Sequence, residues 1–254
     1  MLNDAEAKQE GTQASGWHKP LVFIHGSGDA GRIWRFQTEY FGPRRAIAID
    51  LPGHGERADT LPPEVSVMDY ARAAREIIWN ELGVERPIIA GHSLGGAVAL
   101  AMGMDYGEEL GGLILIGTGA RLRVHPDLLE ATRSAPEAAT RQLKALAFTP
   151  AHAATMVDDM LKEEEQARPA PTMLHRDLAA CNVFDCMARL QDIHLPTLIM
   201  CGTEDRLTPV KYSQYLHEHI AGSTLRYIAD AGHYVMREQP QVVNQAIEDW
   251  LARL

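Results

Sequence analysis

The chain has 254 residues, 46% hydrophobic and 6% aromatic, with 24 Lys and Arg against 34 Asp and Glu and a formal net charge of −10. An acidic surface repels nucleic acid and anionic lipid at long range, so neither is expected as a partner. No apolar run reaches the ~20 residues that cross a bilayer, and Met1 to Gly16 lacks the basic and apolar regions of a secretory signal, so a soluble cytoplasmic protein, monomer or homodimer, is expected.

After a polar segment, 1–19, the first apolar run, 21–24, reads as a strand and leads into His25-Gly26-Ser27-Gly28. A second strand, 45–49, ends in Asp50-Leu51-Pro52-Gly53-His54-Gly55 and is followed by helical periodicity over 67–82. The strand 87–90 turns through Gly91-His92-Ser93-Leu94-Gly95-Gly96 into a helix over 94–106, and a fourth strand covers 113–116. From 121 to 190 the rhythm breaks: several amphipathic helical segments, punctuated by Pro126, Pro136, Pro150, Pro169 and Pro171, replace the strands, and the run Lys162 to Gln166 reads as a solvated helix face. Strand–helix alternation resumes with a strand over 197–200, a helix over 209–220, a strand over 224–228 and a helix over 240–254. Most of the strands are continuous aliphatic runs, as expected of parallel strands covered by helices on both faces, so the fold class is α/β with a mostly parallel, doubly wound sheet. The chain divides into a core first part (20–120), a helical insertion (121–190) and a core second part (191–254). The three cysteines, Cys181, Cys186 and Cys201, are too few and too late to frame a disulfide scaffold, and a reducing compartment suits them.

Gly91 to Gly96 fits G-x-S-x-G in its confirming context, directly between a strand and a helix. Such a turn strains the apical residue, here Ser93, and lifts its side chain above the sheet edge. Gly91 and Gly95 leave room where a Cβ would collide. A serine hydroxyl needs a base, and the base needs a partner that fixes its tautomer. Asp205, after the strand 197–200, and His233, after the strand 224–228, both sit beyond strand carboxyl ends, where open α/β sheets build their sites. Glu204 is the rival to Asp205. His92 adjoins Ser93 but is expected to point away from it, His217 and His219 face different ways on a helix, and His125, His152, His175 and His194 have no matching partner spacing. Two donors are needed for a tetrahedral oxyanion. Leu94 N–H, at a helix start, supplies one, and Ser27 N–H, with Gly26 and Gly28 as alternatives, supplies the other. No metal or cofactor is implied. His25 to Gly28 lacks the downstream Lys and Ser or Thr of a phosphate loop.

With these motifs in order, the sequence resembles the α/β-hydrolase superfamily, in particular its small, cap-bearing, non-secreted members, over nearly the whole chain from Pro20. The markers are Leu21 to Gly26, Asp50 to Gly55, Gly91 to Gly96, Gly202 to Asp205 and Ala231 to His233. The resemblance implies that Asp50 to Gly55 is a structural turn and that 121–190 is a helical cap over the site. Members usually open with a two-strand hairpin, whereas 1–19 shows no apolar alternation; this departure bears on sheet size and leaves the site untouched. Related dehalogenases and epoxide hydrolases place Asp at the elbow, so Ser93 favours acyl transfer to serine. The expected reaction is hydrolysis of small to medium carboxylic esters. Other same-triad chemistry (carbon-carbon hydrolysis, a lyase step, perhydrolysis, thioester hydrolysis) and a ligand receptor of the same fold are the alternatives. Leu128, Leu129, Leu143, Leu146, Phe148, Met156, Met160, Met173, Leu174, Phe184 and Met187 are candidates for an apolar pocket, with Met giving adaptability. Most of them are expected to pack helices instead. Arg32, Arg121 and Arg123 are candidates to meet a single carboxylate.

Overall fold

The computed structural model describes residues 19–167 and 173–254. Six strands, β1 (Leu21–Ile24), β2 (Ala46–Ile49), β3 (Ile88–His92), β4 (Gly112–Ile116), β5 (Thr197–Gly202) and β6 (Thr224–Ile228), form one sheet in the order β2-β1-β3-β4-β5-β6. Every pairing is parallel. Each predicted strand is present, with ends displaced by no more than two residues. A hairpin before β1 falls in 1–18, outside the described residues.

Parallel neighbours require crossovers, and helices supply them. These are α1 (Arg35–Phe41), α2 (Val67–Glu76), α3 (Leu94–Asp105), α4 (Pro126–Ser134), α5 (Pro136–Ala147), α6 (Pro150–Ala167), α7 (Met173–Val183), α8 (Val210–His219), α9 (Val235–Glu238) and α10 (Pro240–Leu251). The two-residue period of the strands divides the core into two layers. Val22, Ile24 and Ile89 join α2, α3 and α8 on one face, while Leu21, Phe23 and Ile88 join α1 and α10 on the other. Each fully buried side chain of this size contributes about 1.5–3 kcal/mol of transfer free energy. The capping box of Ser66 and Asp69 starts α2, and a single π-helical turn, Ile77–Glu81, extends it to the predicted end. β6 is an edge strand, and Arg226 and Tyr227 face solvent.

Between β4 and β5 stand α4 to α7. The two ends of this insertion meet where Arg121 bridges Asp185 in antiparallel fashion, with an ion pair between their side chains and Cys186 N–H on Ala120 O at 2.8 Å. Pro169 and Pro171 lie outside the described residues, as do the side chains of 163–166 in the acidic run, whereas Lys162 is exposed. Among the described residues no helix is long and apolar enough to cross a membrane. Cys181, Cys186 and Cys201 are buried and unpaired.

Candidate active site

The turn from β3 into α3 is tightly packed. Ser93 has φ 53°, a left-handed conformation that a non-glycine residue holds only when its surroundings impose it. Those surroundings are backbone: a Cβ at Gly91 would strike Gly95 O, and one at Gly95 would strike the carbonyl oxygens of Ile24 and His25. Ser93 N–H is fixed on Ile116 O at 3.0 Å, and Thr118 Oγ1 donates to Ser93 O at 2.8 Å. The Ser93 side chain is thereby turned into a cavity of about 510 Å³ between the sheet's carboxyl edge and the insertion.

His233 lines the same cavity. Its Nδ1 donates to Asp205 Oδ2 at 2.8 Å, and both side chains are almost fully buried. Asp205 Oδ2 also accepts from Thr208 Oγ1 at 2.8 Å, while Oδ1 accepts from the N–H groups of Leu207 (2.9 Å) and Thr208 (2.8 Å). Burial pushes the Asp205 carboxyl up, but the charge of His233 and these hydrogen bonds outweigh it and hold the group below its ordinary value. With Nδ1 committed as a donor to Asp205, the neutral form of the ring would carry its lone pair on Nε2. Glu204 is exposed and has no part in this arrangement. Among the described contacts Ser93 Oγ and His233 make no hydrogen bond; in unliganded sites such bonds are commonly long.

The cavity also receives Ser27, from the loop after β1, and the helix that begins at Leu94 starts at its floor. Among the described residues neither Ser27 N–H nor Leu94 N–H has a protein acceptor, the latter because the first amides of a helix find none within it. Gly28 N–H is taken by Asp177 Oδ2 at 2.8 Å, which removes it as an alternative donor.

His92 lies closer to this centre than its sequence position suggests. It is buried against His233, ring centroids 4.6 Å apart, and its Nε2 donates to His233 O at 3.1 Å. Burial and the adjoining His233 lower its pKa to about 3, which keeps it neutral. His217 and His219 bond separately, to Ser223 and to Tyr215 O. Of the apolar candidates only Leu128, Leu143 and Leu146 line the cavity, joined by Leu122, Leu178 and Leu207. Phe148, Met156 and Met160 pack into one core layer, Phe184 and Met187 into the other, so the adaptable methionine wall is not formed. The reason is local geometry: Phe148 caps α5, and the others occupy the faces of α6 and of the segment after α7 that meet the core. Of the cationic candidates Arg123 alone reaches the cavity, and its Nη1 donates to Asn182 O at 2.9 Å. Arg206 lines it too, its Nη2 held by Ala145 O (3.1 Å) and Phe148 O (2.9 Å). Three participants carry no local sequence signal: Thr208, and the buried pair Asp29 and Lys144, 3.2 Å apart. Among the described residues no cluster of three or more His, Cys, Asp or Glu side chains could hold a metal ion.

The chain is similar to a protein named putative carbamate hydrolase RutD from Variovorax paradoxus, 27% identical with 92% of each chain covered. It is also similar to 2-hydroxy-6-oxo-6-phenylhexa-2,4-dienoate hydrolase of Comamonas testosteroni, 26% identical over 93% of this chain and 89% of that one. Among solved structures, a thermophilic esterase superposes with a TM-score of 0.77 at 34% identity, over 92% of this chain and 90% of the other. The model of the alpha/beta hydrolase family matches residues 21–246, and with the parallel sheet, the elbow at Ser93 and the cavity above it, the chain belongs to that family and is a hydrolase.

Proposed function

We propose that the protein is a serine esterase acting on neutral carboxylic esters with small to medium apolar groups. The observation that carries this reading is the 2.8 Å Asp205–His233 pair opening on the same cavity as a strained Ser93. His233 Nε2 takes the Ser93 proton as Oγ attacks the ester carbonyl carbon, and Asp205 stabilises the imidazolium. The tetrahedral oxygen accepts from Ser27 N–H and Leu94 N–H, aided by the positive end of α3. Collapse expels the alcohol, which receives the proton from His233. Water then attacks the acyl-enzyme with His233 again as base, and the carboxylic acid leaves. The cap formed by α4 to α7 covers the reacting groups, and its leucines accept the apolar part of the substrate.

The similarity to a thermophilic esterase supports an ester over the carbamate or dienoate in the names of the other relatives. So does the charge lining: Arg123 and Arg206 are bonded to backbone carbonyls, which favours a neutral ligand over a carboxylate. The test is turnover of p-nitrophenyl esters from acetate to octanoate by the wild type and by Ser93→Ala. Turnover by the wild type and a loss of about 10⁴-fold or more in the variant are expected. Failure with every acyl length, or preference for a 2-hydroxy-6-oxo-dienoate or a carbamate over every ester, overturns the reading.

A further inference from the structure

The loop that carries the Ser27 amide, residues 25–29, is bolted from the cap side by two buried charges of opposite sign. From α7, Asp177 Oδ2 accepts from Gly28 N–H at 2.8 Å. From α5, Lys144 Nζ lies 3.2 Å from Asp29 Oδ1, and the Tyr234 hydroxyl donates to the same carboxylate at 3.1–3.2 Å. Asp177 and Asp29 are almost wholly buried, and so is Lys144. A buried charge is costly unless it is paired, so these residues hold positions that a surface helix would normally give to apolar side chains.

The rest of α7 follows the same face. Leu174, Asp177, Leu178 and Cys181 recur at helical spacing: Leu174 packs on Gly28, Leu178 and Cys181 line the cavity, and Cys181 Sγ is 3.8 Å from Ser27 Oγ. Gly28 has φ +68°, and an added Cβ would come within 3.1 Å of Leu174 Cδ1. From below, Gly26 O accepts from His25 Nδ1 (2.8 Å) and from Asp29 N–H (3.3 Å), and His25 Nε2 accepts from Leu51 N–H (3.1 Å). A peptide unit is planar, so fixing Gly26 O fixes the Ser27 N–H on its opposite side.

We infer that Asp177 and Lys144 are positioning residues that hold the 25–29 loop, and with it the Ser27 N–H, in register with Ser93, so that cap docking and oxyanion-hole assembly are one event. This rests on the esterase reading for its kinetic consequence, while the loop's restraint stands apart from it. A misaimed oxyanion donor weakens transition-state binding and leaves ground-state binding intact.

The test compares wild type with Asp177→Ala, Asp177→Asn and Lys144→Met by three readouts. These are p-nitrophenyl butyrate kinetics, inhibition by an alkyl trifluoromethyl ketone whose tetrahedral adduct occupies the hole, and hydrogen exchange of the peptide covering 21–30. Asp177→Ala is expected to lose about 10- to 100-fold in kcat, less than the full loss of a donor, with KM within about threefold. The ketone inhibition constant should rise by the same factor as kcat falls, and exchange at the loop should quicken. Asp177→Asn retains an acceptor oxygen and is expected to recover part of all three. If Asp177→Ala does not fold, Asp177→Asn and Lys144→Met carry the comparison. Variants with lowered melting temperature but unaltered kcat and loop exchange would overturn the inference, as would a rise in KM alone. A wild type inert to esters and to the ketone would remove the esterase reading, and the exchange measurement would still decide whether the two charges hold the loop.

Discussion

Asp205 and Glu204 are adjacent carboxylates with different fates. Asp205 is buried on His233 and Thr208, whereas Glu204 faces water. Asp205→Asn is therefore expected to lower kcat by about 10⁴-fold, because an amide no longer enforces the Nδ1–H tautomer, with Glu204→Gln within about twofold of wild type; ester turnover distinguishes them. The glycines of the elbow offer a second contrast. Gly95→Ala sets a methyl against two backbone carbonyls and should cost about 3 kcal/mol or more, while Gly83→Ala, at φ +63° with open space around it, should cost about 1 kcal/mol; urea denaturation midpoints measure both. At this scale the sequence was informative about placement wherever a residue's position is set by its immediate neighbours. Ser93 between two glycines, Asp205 just past β5 and His233 just past β6 are all of that kind. Lys144 and Asp177 were not legible, because what makes them buried is a partner 115 or 149 residues away and nothing in their own helices distinguishes them from solvated charges.

Among elements, α7 is held to the turn after β2 by a pair with a definite pH dependence. His54 Nδ1 lies 3.2 Å from Pro52 O and its Nε2 2.8 Å from Asp177 Oδ2, two acceptors that favour the protonated ring. Burial alone would lower the His54 pKa, but the Asp177 charge and hydrogen bond outweigh it and raise it. Burial likewise would raise Asp177, and the His54 charge with the bonds from His54, Tyr70 and Gly28 lowers it. A raised histidine contributes stability fully present below its unfolded value near 6.5 and lost as pH climbs through the folded value. The lowered carboxyl contributes above about 3.8 and fades only as pH falls through its own folded value. The difference in urea midpoint between wild type and His54→Asn should therefore be greatest near pH 5–6 and shrink at alkaline pH. A difference that grows with pH would contradict the pairing. The strands and the interior helices were legible from apolar period and turn chemistry, whereas the place of β6 at the sheet edge is a property of topology, not of Thr224 to Ile228.

The whole molecule has an opposing acid limb. His25 is pushed down to about 4 by burial and then by the charge of His54, and His92 to about 3 by burial and then by His233. Both must be neutral in the fold and gain a proton on unfolding once pH falls below about 6.5, so stability drops by up to about 1.4 kcal/mol per pH unit for each. Chemical denaturation from pH 6.5 to 4.5 should show this slope, reduced in His92→Asn. The His54 limb acts in the other direction, so the two limbs oppose each other about the unfolded histidine value near 6.5. Fold class was the most legible property of all, since five motifs at strand ends leave few topologies, whereas the occupants of the cavity wall depended on how α4 to α7 rotate against the core.

The three unpaired cysteines give this chain a chemical clock. Burial pushes the thiols of Cys181 and Cys186 up to about 12 and raises that of Cys201 as well, so at neutral pH almost none is thiolate, the form that attacks disulfide reagents. Ellman's reagent should leave the native chain nearly untouched and report three equivalents in urea. The rate at which colour develops in between would time the opening of the core layer that holds Cys181 and Cys186, without any added label.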